Sequence, residues 1–428
     1  MFSKEERDQI VKLVKKEVVP AIGCTEPMAV ALCVAKASEL LTNKPTHIKA
    51  LLSSNILKNA MGVGIPGTGG MIGLPIAIAL GMLVGKSEYQ LQVLKDCTPK
   101  DVEKGKELIN SHIIDIQLKE DITEKLYIEV IAENEKEKSI AIISGSHTNF
   151  IYIEHNGEVL LNKSNASHED EAESAPQLTL RKVYDFAMTT PLDEIEFIEQ
   201  SGSMNMSAAK ESLNGNYGHA LGKTLCGKSE KQMMGDSTFS HILSYTSAAC
   251  DARMAGSMIP VMSNSGSGNQ GIAASLPVWV YAKENGKSHE QLIRALMLSN
   301  LTPIYIKQSL GKLSALCGCV VAGTGSSCGI TYLMGGGYNE VSSAVKNMIA
   351  NLTGMICDGA KPSCTLKLSS GISTAVLSAM LAMEGKCVTS VEGIIDDDVD
   401  KSIHNLTQIG AEGMNETDKL ILSIMTSK

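Results

Sequence analysis

The chain has 428 residues, a net charge of -9 at pH 7 and a sequence pI near 5.6. This length predicts two or three domains, and the acidic balance argues against nucleic acid or an anionic membrane as the main partner. The N-terminus, "MFSKEERDQIVKLVKKEVV", is a charged amphipathic helix without an apolar signal core, so we expect a cytoplasmic protein whose eleven cysteines are mostly reduced.

The first 163 residues predict a mixture of helices and strands. Residues 4–42 predict two helices broken at "PAIGCTEP", with Thr25 as the cap and Pro27 in the first turn of the second helix. Further helices are expected at 72–85 and 100–110. Strand patterns occur in "THIKALLSS", "HIIDIQLK", "KLYIEVIAE", "KSIAIISGSH" and "NFIYIEHNGEVLLNK", the last with a hairpin turn at "EHNGEV".

The second half predicts helices almost throughout. Residues 163–175 are polar and acidic, typical of a linker or an exposed loop. Helices are predicted at 178–188, 191–202, 204–213, 231–258, 270–285, 288–309, 338–352, 371–383 and 415–426. The predicted fold class is α+β: a mixed α/β module with antiparallel strands at 1–175, then an all-helical domain at 176–428 on which the N-terminal helices can pack.

Two uncharged stretches, 60–85 and 313–339, have the length of membrane spans. Their glycines and prolines favour a different interpretation, in which Gly-rich loops lead into buried helices of a soluble protein.

Small polar residues interrupt apolar helices at several loops. "GVGIPG" and "GTGSSCG" lack the context of a dinucleotide fingerprint or a phosphate loop. "SNSGSGNQGI" precedes a helix and could hold a carboxylate or phosphate at the helix N-terminus, or could be only a Ser/Gly turn that caps the helix.

Five cysteines lie in or beside two loops, "LSALCGCVVAGTGSSCG" and "MICDGAKPSC". No CxxC pair typical of zinc occurs, and widely spaced cysteines from two loops suit an iron–sulfur cluster that keeps one iron open. A small buried hydrophobe is the alternative for any single cysteine, and we prefer it for Cys33, Cys226, Cys250 and Cys387.

The motifs "GCTEPMAVAL", "KNAMGVGIPGTG", "LSALCG", "GMICDGAKPSC" and "CDARMAGSMIPVMSNSGSGNQGI" together resemble the L-cysteine desulfidase family, which is related to the iron–sulfur-dependent L-serine dehydratases. The resemblance implies a [4Fe-4S] cluster held by Cys357, Cys364 and Cys317, with Cys319 as the alternative third ligand. It also implies that Cys24 is the catalytic base.

The implied reaction is β-elimination, which degrades L-cysteine to pyruvate, ammonia and hydrogen sulfide. The helix that starts at Thr25 is expected to lower the pKa of Cys24, and Glu26 either orients Cys24 or caps the helix. The substrate-binding candidates are residues of the small-residue loops: Asn55, Lys58, Asn59, His147, Thr148, Asn149, Ser265, Gly266, Gly268 and Asn269.

Three rival functions use the same residues. One is an iron–sulfur dehydratase of L-serine or L-threonine, the second a non-enzymatic metal-binding sensor, and the third a membrane-associated transport component. The expected partner is a small-molecule amino acid rather than nucleic acid or membrane, and the chain size favours a homo-oligomer.

Overall fold

A computed structural model describes residues 2–163, 176–311 and 314–427. All of the predicted linker after Lys163 lies outside the described residues. The described chain is a mixed sheet and its helices in the N-terminal half, followed by a region of packed helices, which confirms the predicted α+β class.

The N-terminal half contains every strand that the alternating patterns predict. Its helices are α1 Lys4–Glu17, α2 Thr25–Glu39, α3 Ser54–Ala60, α4 Leu74–Val84 and α5 Pro99–Asn110, with a 3-10 segment at Ser87–Gln92. Its strands are β1 Pro20–Ala21, β2 His47–Leu52, β3 Ile114–Leu118, β4 Tyr127–Glu133, β5 Lys138–Ser144, β6 Phe150–His155 and β7 Glu158–Asn162.

Six of these strands form one sheet in the order β3-β2-β4-β5-β6-β7, in which only β2 and β3 are parallel. Alternate residues of β4 are buried, since α2 packs across β4 and β5 on one face. The predicted hairpin joins β6 to β7, and Asn156 and Gly157 both have positive φ there, as a tight hairpin turn requires.

Within residues 176–311 and 314–427, the short strand β8 Val261–Met262 is the one strand, and the other named elements are helices. Its helices are α6 Leu180–Thr189, α7 Leu192–Ile195, α8 Glu199–Asn214, α9 Leu221–Thr224, α10 Lys228–Met234, α11 Thr238–Met254, α12 Gly268–Glu284, α13 His289–Leu310, α14 Gly318–Leu333, α15 Tyr338–Leu352, α16 Cys364–Met383, α17 Val399–Gln408 and α18 Asn415–Thr426, with short 3-10 and π segments at Glu196–Ile198 and Ile409–Gly413.

Several helix boundaries differ from the predicted ones. The helix predicted at 231–258 is two helices, because Gly235 takes a positive φ and Ser237 caps α11. The predicted break between 202 and 204 is absent, since α8 runs through both residues. The prediction also omitted α17.

The Gly- and Ser-rich stretch 318–333 is the buried helix α14, which the sequence-based helix assignment omitted. Glycine lowers helix propensity, but here it permits close helix packing. A Cβ on Gly325 would lie 2.2 Å from the carbonyl oxygen of Ser299 in α13. Tertiary contacts with α12, α13, α15 and α16 therefore stabilise a helix that local propensity disfavours.

Two hydrophobic cores are present, and each includes residues from the other half of the chain. Ile10 and Val14 of α1 pack into the core of the C-terminal helices. Leu422 of α18 packs into the core beneath the sheet. These crossing contacts hold the two halves together at the place where the candidate site lies.

One helix within the described ranges, α16, has the length and composition of a membrane span. It packs against α11, α14 and α15. The segments 60–85 and 313–339 lead into α4 and α14, whose side chains are largely buried in the protein.

Candidate active site

A cavity of about 790 Å³, counting its open mouth, lies between the sheet module and the C-terminal helices. It is lined by segments that are far apart in sequence: Cys24 to Glu26, Asn59, His147, Arg253, residues 265–267, Asn269, Gln270, Lys307, Ser314, residues 316–319, Cys357, Gly359, Ala360 and Cys364.

A two-residue ribbon places Cys24 next to the predicted anion-binding loop. Strand β1 pairs with β8 through Pro20 and Met262, and the amide of Ser265 donates to the carbonyl of Glu17 at 3.0 Å. The hydroxyl of Thr25 donates to the carbonyl of Gly266 at 3.1 Å. The "GCTEP" and "SNSGSGNQ" segments therefore form adjacent walls of the cavity.

Cys24 and Glu26 are in direct contact. Sγ of Cys24 donates to Oε2 of Glu26 at 2.9 Å, and Nδ2 of Asn59 donates to Oε1 at 3.2 Å. Glu26 thus contacts the thiol, and Cys24 rather than Thr25 occupies the N-cap position of α2.

The pKa of Cys24 differs from the predicted one. Burial raises the pKa of the Cys24 thiol well above its ordinary value, and the Glu26 carboxylate raises it further, although Arg253 opposes both. Burial also opposes ionisation of Glu26, but His147 and the hydrogen bond from Cys24 hold the pKa of that carboxyl below its ordinary value. The expected low pKa of Cys24 was wrong, because burial and the neighbouring carboxylate outweigh the helix N-terminus.

A short antiparallel bridge joins the two cysteine loops. Leu316 pairs with Ile356, the amide of Cys317 donates to the carbonyl of Met355 at 2.9 Å, and the amide of Cys357 donates to the carbonyl of Ala315 at 2.7 Å. Cys317 and Cys357 each follow a bridged residue, so alternation places both side chains on the same face of the bridge.

Cys364 is the first residue of α16, seven residues earlier than the predicted helix start. Its Sγ donates to the carbonyl of Gly359 at 3.5 Å. Burial raises the pKa of Cys364 to about 11.

The two candidates for the third ligand differ in protonation. Cys319 donates a hydrogen bond to Cys317, and this bond lowers the pKa of Cys317 to about 7 in spite of burial. The same bond and burial raise the pKa of Cys319 well above its ordinary value. Both thiols line the cavity, with Cys317 at the N-cap of α14 and Cys319 in its first turn.

Four helices, α2, α12, α14 and α16, begin at the cavity wall, and none has a side-chain hydrogen bond at its N-cap. Six other helices, α1, α5, α6, α11, α13 and α17, do carry such caps. Uncapped N-termini present free N–H groups and a partial positive charge. The cavity is therefore electrostatically suited to anions.

Arg253 is buried in this cavity, with 4% of its surface exposed. Its Nε has no hydrogen-bond partner in the described part of the chain, and neither has Oδ1 of Asn269 or Oε1 of Gln270. Buried polar groups without partners are costly and are rare in native proteins. Three of them on one cavity wall indicate that a polar ligand belongs there.

The structure brings most of the predicted site residues to the cavity. Asn59, His147, Ser265, Gly266 and Asn269 line it, together with Cys24, Glu26 and the three cysteines predicted as ligands. Ser265 takes a positive φ of 49°, unusual for a residue other than glycine and typical of functional sites.

Five predicted substrate-binding residues are not among the residues that line the cavity. Asn55 lines a separate cleft with residues 118–125, while Thr148 is exposed. Asn149 donates to the carbonyl of Ser144 and so shapes the loop after β5. The residues of α3 and of that loop that do line the cavity are Asn59 and His147.

Lys58 and Gly268 have structural contacts instead. The buried Nζ of Lys58 pairs with Asp418 of α18 and donates to the carbonyl of Cys357 at 3.5 Å, which supports the cysteine loop from behind. A Cβ on Gly268 would lie 2.2 Å from Nε of Arg253, so glycine leaves room for the guanidinium.

Sequence reasoning missed Arg253, Gln270 and Lys307. Arg253 lies in the motif "CDARMAGSM", and the available signal was a pair of charged residues, Asp251 and Arg253, among small and apolar ones. Lys307 is likewise a charged residue in a mostly apolar stretch of its helix, α13. Burial lowers the pKa of Lys307 to about 8.

The donor set fits an iron–sulfur cluster better than a single metal ion. Across the described residues, no three His, Cys, Asp or Glu side chains are grouped as ligands of one ion. Five thiols instead line one cavity, four of them from the two cysteine segments, and thiolates are the ligands that such clusters require. The uncapped helix N-termini favour the negative charge that thiolates bring.

Comparison with known proteins shows the family to which the chain belongs. The family model described as serine dehydratase alpha chain matches residues 88–423, more than three quarters of the chain. The chain belongs to this family of iron–sulfur-dependent, dehydratase-like lyases. The match includes Arg253 and all the candidate ligands, whereas Cys24 and Glu26 precede it.

Several similar curated proteins carry the name UPF0597 protein. One from Bacteroides fragilis is 71% identical and is aligned over the full length of both chains. One from Porphyromonas gingivalis is 56% identical over 99% of each chain. One from Aeromonas hydrophila is 44% identical over 99% of this chain and 97% of its own length.

Proposed function

We propose that this protein is an L-cysteine desulfidase, a carbon–sulfur lyase that degrades L-cysteine to pyruvate, ammonia and hydrogen sulfide in the cytoplasm. One observation carries the proposal: a single cavity brings together four thiols, the Cys24–Glu26 pair and a buried arginine with an unpartnered Nε. These are the parts that β-elimination from a small amino acid requires.

Cys317, Cys357 and Cys364 would hold a [4Fe-4S] cluster, and Cys319 would donate its hydrogen bond to the Cys317 thiolate. When bound, the cluster supplies a Lewis acid with one open iron for the departing β-substituent. The protein supports the ligand loop through the bridge between Leu316 and Ile356 and through Lys58.

Arg253 would bind the α-carboxylate of the substrate. A guanidinium suits a carboxylate because it offers paired N–H donors, and the low polarity of the buried site strengthens the attraction. Asn269 and Gln270, whose side-chain oxygens lack partners, would accept hydrogen bonds from the α-ammonium group. Cys24 lies in the same cavity and would take the α-proton.

The choice of L-cysteine rests on the desulfidase-like motifs, whereas the family match favours L-serine as a second candidate. In both cases the α-proton and a β-substituent leave, and the resulting aminoacrylate hydrolyses to pyruvate and ammonia. The two substrates differ only in whether sulfide or water departs, so direct assay must distinguish them.

The test is made on anaerobically purified protein. Iron and acid-labile sulfide are measured per chain. Release of sulfide and pyruvate is measured with L-cysteine, release of pyruvate with L-serine, and release of 2-oxobutyrate with L-threonine. Four irons with sulfide from L-cysteine support the proposal. Pyruvate from L-serine, or 2-oxobutyrate from L-threonine, without sulfide from L-cysteine would make the protein a dehydratase, and iron without any product would favour a metal-binding sensor.

The matched control for the cluster is a cysteine far from the cavity. Cys357→Ser should lose iron and activity together. Cys226→Ser should keep both, because Cys226 is exposed and its thiol donates only to the carbonyl of Lys223.

A further inference from the structure

The thiol of Cys24 is held in one position. Gly23 before it has a positive φ of 67°, and a Cβ there would lie 2.3 Å from the Pro66 ring, so this loop packs against "GVGIPG". Cys24 itself is 2% exposed. Its Sγ faces the cavity and contacts Oε2 of Glu26 at 2.9 Å.

Glu26 is held as firmly as the thiol. Oε2 also accepts from the hydroxyl of Thr25 at 3.1 Å, and Oε1 accepts from Asn59 at 3.2 Å. The charged or titratable groups that act on the pair are His147, from the loop after β5, and Arg253, from α11. Both favour the ionised carboxylate, so at neutral pH Oε2 is an unprotonated acceptor within hydrogen-bond reach of Sγ, although the same groups make it a weaker base.

We propose that Glu26 is the proton acceptor that makes Cys24 a base, so that the two residues act as a dyad. This inference rests on the lyase function proposed above. The proton moves from Sγ of Cys24 to Oε2 of Glu26, which leaves a thiolate and a neutral carboxylic acid. The thiolate then takes the α-proton, and the electron pair of the broken C–H bond forms the Cα–Cβ double bond as the β-substituent departs.

A dyad explains why the carboxylate lies beside the thiol. A negative charge at this distance opposes ionisation of Cys24, which would be a disadvantage if the residue acted as a preformed thiolate. The same contact is an advantage if the thiol ionises only by passing its proton to Glu26.

The experiment compares wild-type protein with Glu26→Gln. Alkylation of Cys24 by iodoacetamide is followed against pH by peptide mass spectrometry, on the anaerobic iron-loaded protein and again after chelation of iron. Turnover per bound iron is measured in parallel. In the chelated samples neither protein holds iron, so the alkylation midpoints of wild type and Glu26→Gln can be compared even if the variant binds less iron.

Two opposite changes are expected in Glu26→Gln. Removal of the negative charge should lower the alkylation midpoint of Cys24, the pH at which its alkylation rate is half maximal, by about one pH unit. Loss of the proton acceptor should lower turnover about 100-fold. Glu39→Gln, at the far end of the same helix, should leave both readouts unchanged.

The dyad is overturned if Glu26→Gln retains turnover within about threefold of wild type, or if the alkylation midpoint stays or rises. Glu26→Asp is the control for a general disturbance of α2, because it changes the side chain but keeps a carboxylate. With a carboxylate present it should keep the high alkylation midpoint, and a midpoint as low as that of Glu26→Gln would also overturn the dyad.

If iron-loaded wild type forms no product from any amino acid, the lyase proposal fails, while the alkylation data still decide whether Glu26 controls Cys24.

Discussion

Cys317 and Cys357 are forty residues apart in the chain, yet they face the same side of one antiparallel bridge. The backbone hydrogen bonds of 2.9 Å and 2.7 Å on either side of the Leu316–Ile356 pair set this register. A slip of one residue would turn one of the thiols to the opposite face. The bridge therefore places two candidate ligands before any cluster binds.

The first prediction distinguishes Cys317 from Cys319 as a ligand. Cys317→Ser should abolish iron binding, because the antiparallel bridge places Cys317 on the same face as the candidate ligand Cys357. Cys319→Ser should retain iron. Iron and acid-labile sulfide per chain measure the outcome, with Cys328→Ser in the interior of α14 as the control. Iron retained in Cys317→Ser and lost in Cys319→Ser would assign the ligand to Cys319.

The second prediction concerns Arg253 and the substrate carboxylate. Arg253→Ala should lower kcat/KM by roughly 10- to 100-fold, since a charge-assisted hydrogen bond contributes about 1.5–3 kcal/mol. Arg253→Lys should recover only part of this loss, because lysine lacks the planar pair of donors. Steady-state kinetics on iron-loaded protein measure the effect. Unchanged kinetics in Arg253→Ala would exclude a role in substrate binding.

The third prediction tests the space that Gly268 leaves for Arg253. In Gly268→Ala the new methyl group would have to displace the guanidinium, so kcat/KM should fall about tenfold with iron content unchanged. Gly413→Ala is the control, because a Cβ there would meet no atom within 4 Å. An equal loss in both variants would show a general effect rather than displacement of Arg253.

The fourth prediction concerns the buried pair between Lys58 and Asp418, which are 1% and 16% exposed. Asp418→Ala leaves the lysine charge buried without its carboxylate, which should lower the free energy of unfolding by about 3 kcal/mol. Chemical denaturation at neutral pH measures this. The same variant should also lose iron faster to a chelator, because Lys58 supports Cys357.

A neighbouring pair on α18 provides the control for this stability change. Lys419 pairs with Glu416 at the surface, where both side chains are more than 70% exposed. Lys419→Ala should change the free energy of unfolding by less than about 0.5 kcal/mol. If Asp418→Ala behaved like this surface variant, Lys58 would not need its partner.

Local pattern was sufficient for most of the fold. Alternating residues correctly predicted the strands of the main sheet, and "HNG" predicted the hairpin turn. Glycine-rich helices were the main failure. In α14, glycine is needed because α13 comes too close for a Cβ, and a sequence window contains no information about that neighbour.

In the candidate site, too, some residues could be recognised from the sequence and others only from their neighbours in the fold. Cysteine in a Gly/Pro loop is chemically unusual, so Cys357 and Cys364 were recognisable from the sequence. Lys58 and Gly268 were assigned to the substrate because they lie in suggestive loops, whereas their contacts are an ion pair and space for Arg253. Spacing along a loop does not reveal on which side of it a side chain lies.

By itself the sequence determined which chemical groups this protein has: thiols in and beside Gly-rich segments, small residues at helix starts, and an α+β order of elements. Only the tertiary structure decided which of them meet. Cys24, Arg253 and Cys357 come from distant parts of the chain, and the pKa of each of the two cysteines depends on burial and on the charges beside it. Those quantities arise when the chain packs, because desolvation and close charge contacts do not exist in the extended polypeptide.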